Sequence, residues 1–249
     1  MLRRALLILG LSACSAHPAE VTVAVAANFA LPMQQIAAAF QRDTGHRARL
    51  VFGATRKFHS QIRNGAPFDV LLAADDETPA RLVAENAATR GALFTYAVGR
   101  LVLWSSQPSA VDPRGDVLRR APAGKLAIAD PRLAPYGAAA IQVLERQGVR
   151  AAWQPHLVQG ESIAQAYQFV ASGNAALGFV ALSQVMAEGR IAGGSAWVVP
   201  AELHAPLKQD AVLLARGRGN PAASALLAYL RSDAARAVIR GHGYELPAP

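Results

Sequence analysis

Apolar and polar positions divide this chain into short alternating segments. Val21-Thr-Val-Ala-Val-Ala-Ala27 is apolar almost throughout, with β-branched Val21, Val23 and Val25, and predicts a strand covered on both faces. Ala26-Ala27-Asn28 then makes a turn without bulk. Leu31, Met33, Ile36, Ala37 and Phe40 recur at helical spacing, with Asn28 at the expected N-cap and Pro32 in the first turn. A strand that enters a helix through tiny side chains leaves unpaired backbone N–H groups at the mouth of a sheet, where an anion binds well. An ordinary capped βα loop is the plainer account of this one turn.

The pattern repeats. Arg47–Phe52 alternates as a strand, Gly53-Ala54-Thr55 turns with Thr55 as cap, and Arg56–Arg63 reads as a helix. Phe68–Ala74 is a third strand, and Asp75-Asp76-Glu77 opens a helix whose positive end suits carboxylates. Further strands are expected at Gly99–Trp104, Lys125–Ala129, Ala176–Ala181, Trp197–Val199 and Leu207–Ala215, the last through polar Lys208-Gln209-Asp210. Further helices are expected at Gly137–Gln147, Ile163–Ser172 behind a Gln159-Gly-Glu-Ser162 cap, Asn220–Leu230 and Asp233–Gly241. Alternation of β and α predicts parallel sheets with helices on both faces. Four junctions stand out: Asn28, Thr55, Tyr136 and the Glu161-Ser162-Ile163 turn. In a two-lobed protein all four face one cleft, because open α/β sheets bind ligands at the carboxyl ends of their strands.

Composition narrows the class. The 249 residues are 52% hydrophobic and 17% charged, enough for one large domain or two ordinary ones. The formal charge of +8 falls to +6 without Arg3 and Arg4, and it is dispersed, with no basic run interleaved with aromatics. Nucleic acid is therefore not expected as a partner; a small anion is. Met1–Arg4 is a positive start, and Ala5–Leu11 is apolar but too short to span a bilayer. Leu11-Ser-Ala-Cys14 resembles a lipobox, in which the cysteine becomes the lipidated first residue. A plain secretory signal with an incidental cysteine is the alternative. Cys14 is the single cysteine, so no disulfide forms within the chain.

Other chemistries find little support. The six histidines lack metal-ligand spacing, so no metal-cation ligands are expected. Gly217-Arg-Gly-Asn-Pro-Ala222 imitates a dinucleotide fingerprint without its βαβ unit. Gly160-Glu-Ser-Ile-Ala164 lacks the second glycine of a nucleophile elbow. Asp75-Asp76 is more simply a helix start than a pair of catalytic acids.

Several motifs together resemble the periplasmic molybdate-binding proteins of ABC importers. They are Val25-Ala-Ala-Asn-Phe29, Phe52-Gly-Ala-Thr-Arg-Lys-Phe58, Gly65-Ala-Pro-Phe-Asp-Val70 with Ala73-Ala-Asp75, and Ala129-Asp-Pro131, with weaker support from Leu177–Val180 and Gly241-His-Gly-Tyr244. The resemblance implies an α/β, two-lobed type II periplasmic-binding-protein fold with the ligand in the cleft between lobes. It implies a signal segment over 1–19, a first lobe of 20–98 plus 211–249, and a second of 99–210. The oxyanion would be held at Asn28, Thr55, Tyr136 and, through its backbone N–H, Ile163. Relatives often carry Ser at the first two positions and Gly at Arg56. Some place a tyrosine where Ala181 stands, and Tyr136 would supply that phenol from another loop. Arg56, next to Thr55 on a helix, is expected to point away from the ion, either as a solvated arginine or with its stem curled back to the cleft mouth to steer the ion in or close over it. The resemblance further implies an exported, periplasmic monomer, lipid-anchored if Cys14 is modified, that serves ABC permease membrane subunits, uses no cofactor and catalyses nothing. A sulfate-binding protein and an enzyme on the same fold, such as a dehydratase, are the competing expectations. The physics agrees with the first reading. Molybdate and tungstate are unprotonated dianions with acceptor oxygens only, so a pocket of donors without carboxylates suits them.

Overall fold

A computed structural model describes residues 18–187 and 189–247; the leader and Cys14 lie outside the described residues. In chain order the elements are β1 (Glu20–Ala26), α1 (Ala30–Thr44), β2 (Arg47–Gly53), α2 (Thr55–Arg63), β3 (Val70–Leu72), α3 (Glu77–Ala84), β4 (Phe94–Gly99) and β5 (Leu101–Ser105). There follow β6 (Leu126–Ala129), α4 (Pro135–Arg146), α5 (Arg150–Trp153), β7 (Leu157–Gly160), α6 (Ile163–Ala171), β8 (Leu177–Ala181), α7 (Leu182–Val185), β9 (Met186–Ala187) and β10 (Arg190–Ile191). The chain ends with β11 (Ser195–Val198), β12 (Leu207–Leu213), α8 (Pro221–Tyr229) and α9 (Asp233–Gly241).

Two five-stranded sheets form two lobes, in the orders β2-β1-β3-β12-β4 and β11-β5-β8-β6-β7. The sheets are mixed rather than parallel. β1 runs parallel to β2 and β3, but β12 is antiparallel to β3 and β4. Likewise β6 runs parallel to β7 and β8, while β5 is antiparallel to β8 and β11. The reversed strands are the ones beside the crossings between lobes. β4 is a strand that the polar–apolar pattern does not announce: half of its side chains are only partly covered. It stops at Gly99, and Leu101 already belongs to the second sheet. The return precedes Leu207, because Leu207 pairs with Gly99 inside the first sheet. Both crossings therefore lie side by side.

Strand alternation explains the layers. In β1, Val21, Val23 and Val25 pack with Phe29, Met33, Ile36 and Phe40 and with Leu226 and Ile239. Ala24, one position out of phase, faces the opposite cluster with Phe58, Leu71, Leu82 and Val212. Consecutive side chains point to opposite faces of a strand, so one apolar run supplies two cores. Burying each such branched side chain contributes ~1.5–3 kcal/mol. The second lobe has one continuous core around Leu101, Leu103, Ile128, Val143, Trp153 and Phe179. With the cores filled on both faces, function is left to the strand ends, and those of β1, β2, β6 and β7 all feed the same cleft.

Candidate functional site

The four junctions converge. Asn28, Thr55, Tyr136 and Ile163 line one small cavity together with Ala26, Ala54 and other small residues. The cavity volume is about 10 Å³, on the scale of a single water-sized body (~10–15 Å³), so the lobes must part for any ligand to enter, a tetrahedral oxyanion included. Three helices begin here, α2 with Thr55, α4 with Pro135 and α6 with Ile163, beside a 3₁₀ turn over Ala27–Phe29. The first N–H groups of a helix have no partner within it and carry its positive end; α4 starts that series at Tyr136, because Pro135 has no N–H, and in α2 the Arg56 N–H is taken by the Leu133 carbonyl. Asn28, Thr55 and Tyr136 are the polar side chains of the lining, which contains no carboxylate and no cation.

Thr55 does not cap its helix. The cap position is Ala54, and Thr55 is the first helical residue. Its Oγ1 accepts from the Ala74 N–H at 2.9 Å. A hydroxyl that has accepted one bond still has its proton to place, and no protein acceptor takes it here. Thr55 is 1% exposed.

Tyr136 is set by its neighbours on both sides. Gly137 allows α4 to start against the end of β6: a Cβ there would lie 2.2 Å from the Ala129 carbonyl oxygen. Gly99 leaves room for the phenol: a Cβ there would lie 2.1 Å from its oxygen. The Tyr136 hydroxyl is buried beside the Tyr244 hydroxyl and the Asn28 carboxamide, with no hydrogen bond of ordinary geometry to either. Burial first, then the neighbouring Tyr244 and Tyr96, pushes its pKa well above the ordinary phenol value, so it stays a proton donor. Leaving such a donor unpaired in a dry site costs ~1–3 kcal/mol, which an accepting ligand would remove. Ile163 follows a true cap, with Ser162 Oγ accepting from the Gln165 N–H, and its carbonyl is held by Gln184 Nε2 at 3.2 Å.

Asn28 departs from its expected role twice. It is not the cap of α1, which is Phe29, and it makes no capping bond. Its carboxamide nitrogen donates to Gln209 Oε1 at 2.8 Å and to the Tyr244 oxygen at 2.9 Å, so both amide protons are committed inside the protein. What Asn28 can offer an anion is its backbone N–H at the start of the turn. Gln209 and Tyr244 were not singled out by sequence reasoning. The signal was a polar triplet in an apolar strand and the tyrosine of Gly241-His-Gly-Tyr244.

Arg56 lies outside the cavity lining and bridges the lobes. Its Nη1 donates to the Pro131 carbonyl at 3.1 Å, and its backbone N–H donates to the Leu133 carbonyl at 3.1 Å. Nη2 also comes within 3.7 Å of Glu77. Next to it, Lys57 pairs with Glu161 at 2.7 Å, again across the cleft. The nearby Asp130 is turned onto Arg132, which holds its carboxyl below the usual range through paired hydrogen bonds.

The remaining motifs resolve into structure. Ser162 is a helix cap rather than a nucleophile. Asp75 accepts from the Thr78 N–H and hydroxyl, and Asp76 pairs with Lys208, so the two acids face different partners. Asn220 caps α8, and Gly217 packs against the Asp69 carbonyl, where a Cβ would come to 2.4 Å. Among the described residues there is no cluster of three or more His, Cys, Asp or Glu fit for a metal ion. Among them, too, no helix is long and apolar enough to cross a membrane.

Two lobes with an anion-suited cavity between them are the form of a solute-binding protein. Residues 21–245 match the family described as bacterial extracellular solute-binding protein, and the chain belongs to it. Its close relatives are more specific. The molybdate-binding protein ModA of Azotobacter vinelandii is 56% identical over 237 residues, covering 95% of this chain and 94% of that one. The molybdate-binding protein ModA of Rhodobacter capsulatus is 50% identical over 238 residues, covering 96% and 92%. Among solved structures, the periplasmic molybdate-binding protein of Azotobacter vinelandii superposes with a TM-score of 0.88 at 38% identity, covering 92% of this chain and 100% of that one.

Proposed function

We propose that this protein captures molybdate, or tungstate, and delivers it to the permease of an ABC importer. The observation that carries this reading is the buried, unpartnered Tyr136 hydroxyl in a cavity whose lining has no carboxylate. Thr55 Oγ1, Tyr136 OH and the backbone N–H groups of Asn28, Thr55, Tyr136 and Ile163 would surround the ion. Neutral dipoles of this kind hold a dianion without a full counter-charge. A protonated phosphate needs an acceptor and would meet none in a carboxylate. With no nucleophile–base pair at the cavity, the site binds and releases rather than reacts. The chain would act outside the cytoplasm, exported by its leader and anchored through Cys14, as a monomer and without a cofactor.

Titration calorimetry of the purified protein with molybdate, tungstate, sulfate and phosphate tests this. We expect molybdate and tungstate to bind far more tightly than the other two. Binding of sulfate or phosphate with no response to molybdate would overturn it.

A further inference from the structure

Gln209 is fully buried, at 0% exposure, on β12, the strand by which the chain re-enters the first lobe. A buried amide is costly unless its groups are paired. Its Oε1 accepts from Asn28 Nδ2, and its Nε2 donates to the Leu207 carbonyl at 3.3 Å. The second bond decides which way round the amide lies. Turned over, Oε1 would face the Leu207 oxygen, two acceptors with no proton between them. Gln209 therefore presents oxygen to Asn28, and Asn28 must answer with nitrogen.

The other Asn28 amide proton goes to the Tyr244 oxygen. The Tyr244 hydroxyl lies 2.8 Å from the Asn28 carbonyl, and Ser183 Oγ donates to that carbonyl at 2.7 Å. Three groups, from β12, the C-terminal segment and α7 of the second lobe, thus hold one turn by its side chain and its backbone. None of the three lines the cavity. Gln209 also borders the other half of the site. A Cβ on Gly99 would meet Gln209 Nε2 at 2.9 Å as well as the Tyr136 hydroxyl.

We propose that Gln209 is a positioning residue of the oxyanion site. It fixes the orientation of the Asn28 carboxamide and, through it, the 3₁₀ turn whose opening N–H groups meet the ion. This rests on the oxyanion reading above. Its hydrogen bond to the turn runs through the Asn28 side chain, so that part of its effect depends on that side chain being present.

The test is a double-mutant cycle in the full-length protein, with molybdate titrated calorimetrically into wild type, Gln209→Leu, Asn28→Ala and the double variant. We expect Gln209→Leu to raise the dissociation constant about tenfold, and to add less in the Asn28→Ala background. Thermal unfolding of the ligand-free proteins separates loss of binding from loss of fold, and Gln209→Met, closer in shape, replaces Gln209→Leu if the latter does not fold. An unchanged dissociation constant in Gln209→Leu or Gln209→Met overturns the proposal. So does an effect of equal size with and without the Asn28 carboxamide, which is what a generally loosened fold would give. Wild type that binds molybdate alongside an unaffected Gln209 variant sinks this inference alone. Wild type that takes up no oxyanion sinks the parent reading, and this one with it.

Discussion

The guanidinium of Arg56 and the carbonyl of Pro131 meet across the cleft, 3.1 Å apart, although they belong to different lobes. A rim cation that only steers an anion changes its association rate. A cation bonded to the opposite lobe stabilises the closed form instead. The side chain is partly exposed (38%), so the bond is discounted for solvent. We expect Arg56→Gly to raise the dissociation rate of molybdate roughly threefold to tenfold, about 1 kcal/mol, and to alter association less. Stopped-flow traces at low and high salt check this; a change confined to association would return Arg56 to a steering role.

Thr55 is expected to be a direct ligand. Thr55→Ala removes a hydroxyl donor and also strands the Ala74 N–H, so binding should weaken by ~1.5–3 kcal/mol, one to two decades in affinity. Thr55→Ser keeps the hydroxyl and should stay close to wild type by calorimetry.

Tyr136→Phe should act in opposite directions on the free and loaded protein. The ligand-free form loses an unpaired buried hydroxyl and should be as stable as wild type or more so, while the stabilisation gained on adding molybdate shrinks. Melting temperatures with and without molybdate report both. An undiminished ligand shift would show that the hydroxyl does not touch the ion.

Gly99→Ala should damage binding more than Tyr136→Phe, because its methyl group would displace both the phenol and the Gln209 amide. Removing the phenol oxygen relieves the closer of these contacts. The Gly99→Ala, Tyr136→Phe double variant should therefore melt higher than Gly99→Ala alone.

The pH profile follows from the tyrosines. Burial raises the phenols of Tyr96, Tyr136 and Tyr244 above their ordinary value. Molybdate affinity should be flat between about pH 6 and 9, where an ordinary phenol (~10) is still protonated. The folded pKa values are raised, so their contribution to stability is complete below about pH 10 and is lost as pH climbs towards the folded values. Unfolding followed by tyrosinate absorbance should show stability falling only on that alkaline side.

Much of this was legible in the sequence because it was written in local chemistry. Asn28, Thr55, Tyr136 and Ile163 each follow a strand and open a helix, and the structure gathers all four around one cavity. Ser162 and Asn220 cap as their residue types suggest. What escaped was non-local. The strand Phe94–Gly99 owes its place to β12, more than a hundred residues later in the chain. The antiparallel strands beside the crossings have no local signature. Asn28 looked like a cap because its side chain suits one, yet Gln209 and Tyr244 from the far end of the chain outcompete the helix for it. Arg56 was placed at the rim by helical geometry, but its partner lies in the other lobe.

The pairing of Leu207 with Gly99 sets how the molecule can move. Two crossings side by side resemble the two leaves of a door hinge rather than a ball joint. They favour swing about one axis over sliding or twisting of one lobe on the other. Lys57 and Glu161, which pair across the cleft, then arrive in register each time without being separately aligned.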